Sequence, residues 1–464
     1  MTEPVSATGE DDSFDRTELG ARPPWIRVGA HESTSLSSIH PALGIIALGT
    51  GSDRARLTDI WPRAVGTTTK GKHPDREELM TERPATPPRV RRTTTTLADG
   101  RELIYFDDSE PYLSGAQSRE VVDERPLNGR PTAGTMRLDA LTGEWVSIAD
   151  HRQNRTFLPP TDECPLCPSG GGTMPSEIPA HEYDVVVFEN RFPSFAAGSI
   201  DAGSGAAGPS GNPLLAHAPA LGRCEVVCFT SDHRASFSSL SPARARTVVD
   251  VWADRTRELS VLDAVEHVFP FENRGEEIGV TLHHPHGQIY AYPFVPARTE
   301  SLLRAATEHH QRTGRLLGAD LLAAELEAGS RVVIRGTAWT AYVPYAARWP
   351  VEVNLVPNRD VPDLVALDGD ERDELAQVYL DLLRRLDRYY ETPDGAPIVM
   401  PYIAGWQQAP VRQGRDVSRL HLQVMSVLRA PGRLKYLAGS ESGVGAWIND
   451  VSPEAVAQRL REVG

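Results

Sequence analysis

His284-Pro285-His286-Gly287-Gln288 decides the reading of this chain. The proline ring fixes its own φ and pushes the residue before it toward an extended conformation. Along an extended segment residues i and i+2 share a face, so both imidazoles should point the same way. Gly287 removes a side chain, which lets backbone and a bulky anion approach closely. Gln288 adds an amide donor. A nucleophilic imidazole, a steered neighbour and a polar clamp are the parts needed for attack on a phosphate. His286 is the candidate nucleophile and Gln288 the candidate clamp. His-x-His alone carries little weight; the surrounding sequence supplies the rest.

Outward from the pentapeptide, strands are predicted at 265–271 and 287–295. A helix should start at Ser241-Pro242, a capping residue followed by Pro at the first helical position, and run to about Leu259. Upstream, Arg137 to Val146 reads as strand, turn and strand, and 184–188 and 225–230 as further strands. The small-residue stretch from Ala196 to His217 reads as a mobile loop. Downstream, one helical region is predicted over about 300–328. Strands follow at 331–334, 339–343 and 351–356, a helix at about 370–390, strands at 398–402 and 420–427, and a last helix capped by Ser452-Pro453. Two successive strand-rich blocks, each with a helix, predict an α+β fold of two similar halves, 96–298 and 299–464. Residues 1–90 show little periodicity and read as a disordered or non-native extension. Met80 opens a stretch that itself reads as a natural start, so the native protein is expected to begin there. An intact mass of the endogenous protein that includes residues 1–79 would refute this.

The 464 residues allow a sizeable core; 40% are hydrophobic and 24% charged, which are globular values. No run of about 18 apolar residues occurs, so no spanning helix is expected. The acidic N-terminus has no apolar core of a signal peptide. Four cysteines are too few for a disulfide scaffold and fit a reducing, cytoplasmic compartment. A formal net charge of −15 disfavours non-specific nucleic-acid binding.

Cys164-Pro165-Leu166-Cys167 is a C-x-x-C knuckle. Pro168 and the glycines after it do not propagate a helix, which argues against a redox pair and for zinc. Two further ligands are then needed. Cys224 and Cys228 on one strand sit about 13 Å apart and read as core. His233 is a better ligand, and His284 would complete a Cys2His2 set, although spacing alone does not select them among 14 histidines.

From Arg137 to Val463 the ordered motifs resemble the galactose-1-phosphate uridylyltransferases, a branch of the histidine-triad superfamily. They are Gly143-Glu144-Trp145-Val146, His151-Arg152-Gln153-Asn154-Arg155, the knuckle, Phe188-Glu189-Asn190-Arg191-Phe192, Cys228 to His233, Phe271-Glu272-Asn273-Arg274-Gly275, Gly279-Val280-Thr281, the pentapeptide, and Lys435-Tyr436-Leu437-Ala438-Gly439-Ser440-Glu441. The resemblance implies two histidine-triad-like halves with antiparallel sheets flanked by helices. It implies ping-pong transfer of UMP in galactose metabolism: UDP-glucose uridylylates His286, and galactose 1-phosphate then accepts the uridylyl group. Neutral imidazole attacks phosphorus readily and remains a good leaving group. Arg152 and Arg155 would be phosphate cations, and Gln288 would bind phosphoryl oxygens. Asn273, Gly279 and Thr281 would line the substrate, with Thr281 where the family usually has Ser. Asn190, Arg191 and Phe192 match the uridine pocket, Arg191 replacing a common Asp. Lys435, Tyr436 and Glu441 would contact substrate, and a homodimer is implied.

The same matching assigns Cys164, Cys167, His233 and His284 to one structural zinc ion. Some members carry a second metal, often iron, held by one Glu and three His. Here those positions fall on Leu302, Gln407, His421 and Gln423, and the second site is predicted absent. The competing readings are a nucleotide phosphorylase or adenylyltransferase of the same superfamily, separable by base preference, and a zinc-stabilised nucleic-acid module, which the acidic charge opposes. His283, His309, His310 and Glu276-Glu277 read as polar or solvated neighbours.

Overall fold

Strands rich in β-branched and aromatic residues build one antiparallel sheet of eleven strands. The computed structural model describes residues 89–127, 129, 133–154, 157–169, 176–198 and 211–464. The N-terminal extension up to residue 88, Met80, Arg155 and loop residues 199–210 lie outside them.

In chain order the strands are β1 (Arg91–Thr96), β2 (Glu102–Asp107), β3 (Val185–Glu189), β4 (Arg223–Cys228), β5 (His267–Arg274), β6 (His286–Tyr292), β7 (Val332–Arg335), β8 (Trp339–Tyr342), β9 (Val351–Pro357), β10 (Tyr402–Gln407) and β11 (His421–Ser426). Their order across the sheet is β1-β2-β3-β4-β6-β5-β10-β11-β9-β8-β7. Apart from the extra edge strand β1, the order is palindromic about the β5–β10 junction. The helix α1 (Pro242–Ser260) falls between β4 and β5, and α4 (Gly369–Asp387) between β9 and β10. Strand, strand, helix, strand, strand is therefore traced twice, and the two histidine-triad-like halves meet edge to edge. The antiparallel sheets of the two halves run on into one another, because β5 and β10 pair directly, Phe271 opposite Gly405 and Glu272 opposite Ala404.

Period-two alternation divides the sheet into two faces. The inner face presents Val227, Ile289, Ala291, Val353, Leu355, Ala404, Trp406, Leu422 and Val424 to α1 and α4. Ser241 caps α1 by accepting from the Arg244 amide, and Asp368 with Glu371 forms a capping box on α4. Trp252 of α1 meets Trp406 edge-on at 5.8 Å and stacks on Phe237, which closes the core between the layers.

The outer face is left for other work. In the C-terminal half α2 (Ala297–Thr313) and α3 (Leu317–Ala328) lie over it. The single helical region predicted there is broken because Gly314 takes a left-handed φ of 70° and ends α2. His309 is not simply solvated: its Nε2 lies 2.8 Å from Asp320 and ties the two helices. The strand predicted at 398–402 forms instead at 402–407, after a two-residue bridge at Pro397–Ile398. The β1–β2 hairpin starts at Arg91, ahead of the predicted folded boundary. Part of the supposed mobile loop is ordered, since Pro213–Leu215 forms a short helical turn capped by Asn212, which accepts from the Leu214 amide.

Candidate active site and metal centre

Strand β6 carries the site. His286, Gln288, Tyr290 and Tyr292 face outward, while Gly287, Ile289 and Ala291 face the core. His286 Nδ1 lies 2.7 Å from the His284 carbonyl, so Nδ1 carries the proton and donates. Nε2 is thereby left with its lone pair. Burial lowers the His286 pKa, which favours the neutral imidazole.

Gly287 does not serve the purpose expected of it. A Cβ there would lie 2.9 Å from the Phe229 ring and 2.9 Å from the Phe271 carbonyl, both on the core side. The glycine lets β6 settle against the aromatic core; it makes no room for an anion.

Two residues before the nucleophile, His284 is 1% exposed. Its Nε2 lies 2.8 Å from the Thr230 carbonyl and 2.8 Å from the Tyr183 hydroxyl. That hydroxyl donates to the carbonyl of Leu166, inside the knuckle. The imidazole therefore holds its proton on Nε2 and turns Nδ1 toward Cys167 Sγ, 3.6 Å away, while Cys167 Sγ lies 3.4 Å from His233 Nδ1. The donor atoms of Cys164, Cys167, His233 and His284 all lie within 4.8 Å of one another. A tetrahedral ion with thiolate and imidazole ligands separates its donors by roughly 3.3–3.8 Å, so the group fits a metal with little adjustment. Burial pushes His284 down to about 4 and lowers His233, keeping both neutral as ligands must be. Cys224 and Cys228 are buried in β4, outside this group.

Tyr183 gave no signal in the sequence, nor did the support beneath the knuckle. Arg101, fully buried, reaches Glu177 at 2.6 Å, Asp99 at 2.7 Å and the Glu189 carbonyl at 2.8 Å. The Glu177 amide in turn donates to Pro165 of the knuckle.

Beside His286 a cleft of about 130 Å³ is lined by Asn273, Arg274, Gly275, Leu282 and His283. Arg274 is held by Asp387 at 2.8 Å, and His283 lies 3.3 Å from Glu276. Asn190 accepts from the Phe192 amide, and Arg152 donates to the Phe192 carbonyl at 2.7 Å. Both shape the 190–193 turn. Arg191 is half exposed and lies 3.6 Å from Glu177. Gly279 takes a left-handed φ of 82°, and Thr281 accepts from the Leu158 amide. Lys435 is elsewhere: it donates to the carbonyls of Arg348 and Ile448 and pairs with Glu441 at 3.5 Å, and Tyr436 is exposed. No contact within the chain joins these three to His286 among the described residues. Leu302, Gln407, His421 and Gln423 come together around one cavity under α2 and α3.

The fold and site define a histidine-triad-like protein with an oriented, neutral histidine beside a metal-binding knuckle. Residues 128–296 match the galactose-1-phosphate uridyl transferase N-terminal domain and residues 303–464 its C-terminal domain. A galactose-1-phosphate uridylyltransferase of Streptomyces lividans is 48% identical, covering 81% of this chain and 98% of that one. The Thermotoga maritima galactose-1-phosphate uridylyltransferase is 36% identical, covering 70% and 98%. A solved uridylyltransferase structure superposes with a TM-score of 0.60 at 29% identity over 71% of this chain and 98% of that one. The chain belongs to the galactose-1-phosphate uridylyltransferase family.

Proposed function

We propose that this enzyme transfers UMP from UDP-glucose to galactose 1-phosphate by way of a covalent uridylyl-histidine. The observation that carries the reading is the 2.7 Å bond from His286 Nδ1 to the His284 carbonyl, which leaves Nε2 as the free nucleophile. Nε2 attacks the α-phosphorus of UDP-glucose and glucose 1-phosphate departs. Galactose 1-phosphate then attacks the same phosphorus and the imidazole leaves. Gln288, two residues on and on the same face, donates to the phosphoryl oxygens. Asn273, Gly279 and Thr281 form the near wall, Arg152 and Arg155 supply positive charge, and Asn190, Arg191 and Phe192 receive the uridine.

Cys164, Cys167, His233 and His284 would hold a zinc ion with all four positions filled by protein. Such an ion supplies rigidity to the strand start and no open position for substrate. The second metal is absent in this reading, since only one of its four positions keeps a ligand type. The two halves divide near residue 298, the chain works as a homodimer in the cytoplasm, and Lys435, Tyr436 and Glu441 serve a site through the subunit interface.

The test is an intact mass after mixing the protein with UDP-glucose alone, beside His286→Ala. A uridylyl adduct on the unmodified protein only, discharged by galactose 1-phosphate, is expected. An adduct formed equally by the variant would remove His286 from the role.

A further inference from the structure

The palindromic sheet gives His286 a counterpart. β11 occupies in the C-terminal half the place β6 occupies in the N-terminal half, and it too opens His-x-Gln: His421-Leu422-Gln423 against His286-Gly287-Gln288. His421 Nδ1 also faces the carbonyl two residues upstream, that of Arg419, at 3.3 Å. Gln407 on β10 lies opposite His421, where Asn273 on β5 lies beside His286. An amide, an imidazole and a second amide thus recur on the same outer face, half a molecule away.

Here α2 and α3 roof the constellation into a cavity of about 400 Å³. Its charge is one-sided. Arg298, Arg348 and Arg419 line it against the single carboxylate of Glu352. Glu352 is already engaged by the amides of Arg348 and Trp349 and by Gln423 Nε2 at 2.6 Å. Arg298 has one hydrogen bond, to the neutral Gln423 amide oxygen, and Arg348 lies over the Trp447 ring. Among the described residues neither guanidinium has an ion-pair partner. The Arg419 side chain is 6% exposed and, although paired with Asp360, leaves its Nε buried without a hydrogen-bond partner, as does Asn354 Oδ1. Leu302, Leu303, Leu321 and Val356 supply apolar wall.

We infer that this cavity is a second binding site, which takes a phosphorylated small molecule. Guanidinium forks and amide donors suit phosphate oxygens, and the leucines suit the organic remainder. A cation is disfavoured, because three guanidinia face one carboxylate that is already satisfied. The inference rests on reading the His286 constellation as a phosphoryl site.

Equilibrium dialysis with UMP, glucose 1-phosphate and inorganic phosphate tests it on the full chain. With at least one probe the protein should saturate at two equivalents per chain. UMP alone reaching two would assign a nucleotide, glucose 1-phosphate alone a sugar phosphate, and inorganic phosphate a bare anion subsite. Arg298→Ala/Arg348→Ala should bind one equivalent and still form the His286 adduct. Leu302→Trp, which fills the cavity without removing charge, should do the same. One equivalent with every probe, or two retained in both variants, would overturn the inference. Loss of the His286 adduct with two equivalents still bound would refute the catalytic reading alone.

Discussion

Glu272 is 4% exposed and sits on the inner face directly opposite Gly287, the residue between His286 and Gln288. Four groups face it. The Tyr379 hydroxyl lies 3.4 Å away and the Tyr402 hydroxyl beside it; Arg274 favours its charge and Asp387 opposes it. Burial outweighs the three favourable partners and pushes the carboxyl up from 4.5 to about 7. The folded protein therefore keeps this proton over a range where the unfolded chain has lost it. Between pH 4.5 and about 7 the native state binds more protons, so Glu272 makes stability fall as pH rises. At about 1.4 kcal/mol per pH unit, the loss reaches about 3 kcal/mol above pH 7. Glu272→Gln keeps the shape and removes the titration. Its stability relative to the parent should rise by roughly that amount from pH 5 to pH 8, read by urea unfolding in zinc-containing buffer. Any constant offset from the new amide does not alter the slope. A difference that is flat across that range, or that falls with pH, would refute a neutral buried Glu272.

Gly287→Ala should destabilise by about 1–3 kcal/mol, because its Cβ meets Phe229 and the Phe271 carbonyl at 2.9 Å; an unchanged melting temperature would sink the packing account. Tyr183→Phe removes the hydroxyl shared by His284 and Leu166, and should weaken metal retention about 10–100-fold in competition with a chelator. If the variant holds its metal as tightly as the parent, the hydroxyl does not orient the ligand. Arg255→Ala strips the paired bonds of 2.8 and 2.9 Å from the fully buried Glu225, leaving it only Arg223, and should cost about 3–5 kcal/mol by chemical denaturation. A loss below about 1 kcal/mol would mean that Arg223 alone compensates the charge.

The strands and helices nearest the site were legible because their signals are local. Ser241-Pro242 marks a helix start wherever it stands, and the β-branched run before Glu189 has few alternatives. Gly314 was equally visible, but a glycine inside a helical pattern is tolerated as often as it terminates, and its left-handed φ decides only in the fold. The β1 strand escaped because Arg91-Arg92-Thr93-Thr94-Thr95-Thr96 is an exposed edge with no apolar alternation. Tyr183 and Arg101 act through contacts with residues distant in sequence, about which a one-dimensional pattern is silent. The core-side place of Gly287 is also written in the local pattern. If His286 and Gln288 face the ligand, a period of two places the residue between them in the core.

That parity bears on how the proposed nucleophile is held. The carbonyl that orients His286 belongs to His284, so a metal held by the four-residue group would fix that carbonyl together with the His284 ring. A slip of β6 by one residue would bury the imidazole and expose Ile289, and the register is opposed twice over: β4 pairs Cys228 with His286, and β5 pairs Glu272 with Gly287. The knuckle is a third tie, independent of the sheet. In the C-terminal half the corresponding strand has its register but no knuckle. His421 is oriented by a longer bond to a carbonyl whose own residue, Arg419, is anchored by Asp360 and by the carbonyls of Pro357 and Asn358. Catalysis requires the reacting nitrogen placed to within a fraction of an ångström, whereas binding tolerates more. On the proposed reading, the same sheet geometry supports chemistry where four ligands pin the strand start and recognition where one arginine pins it.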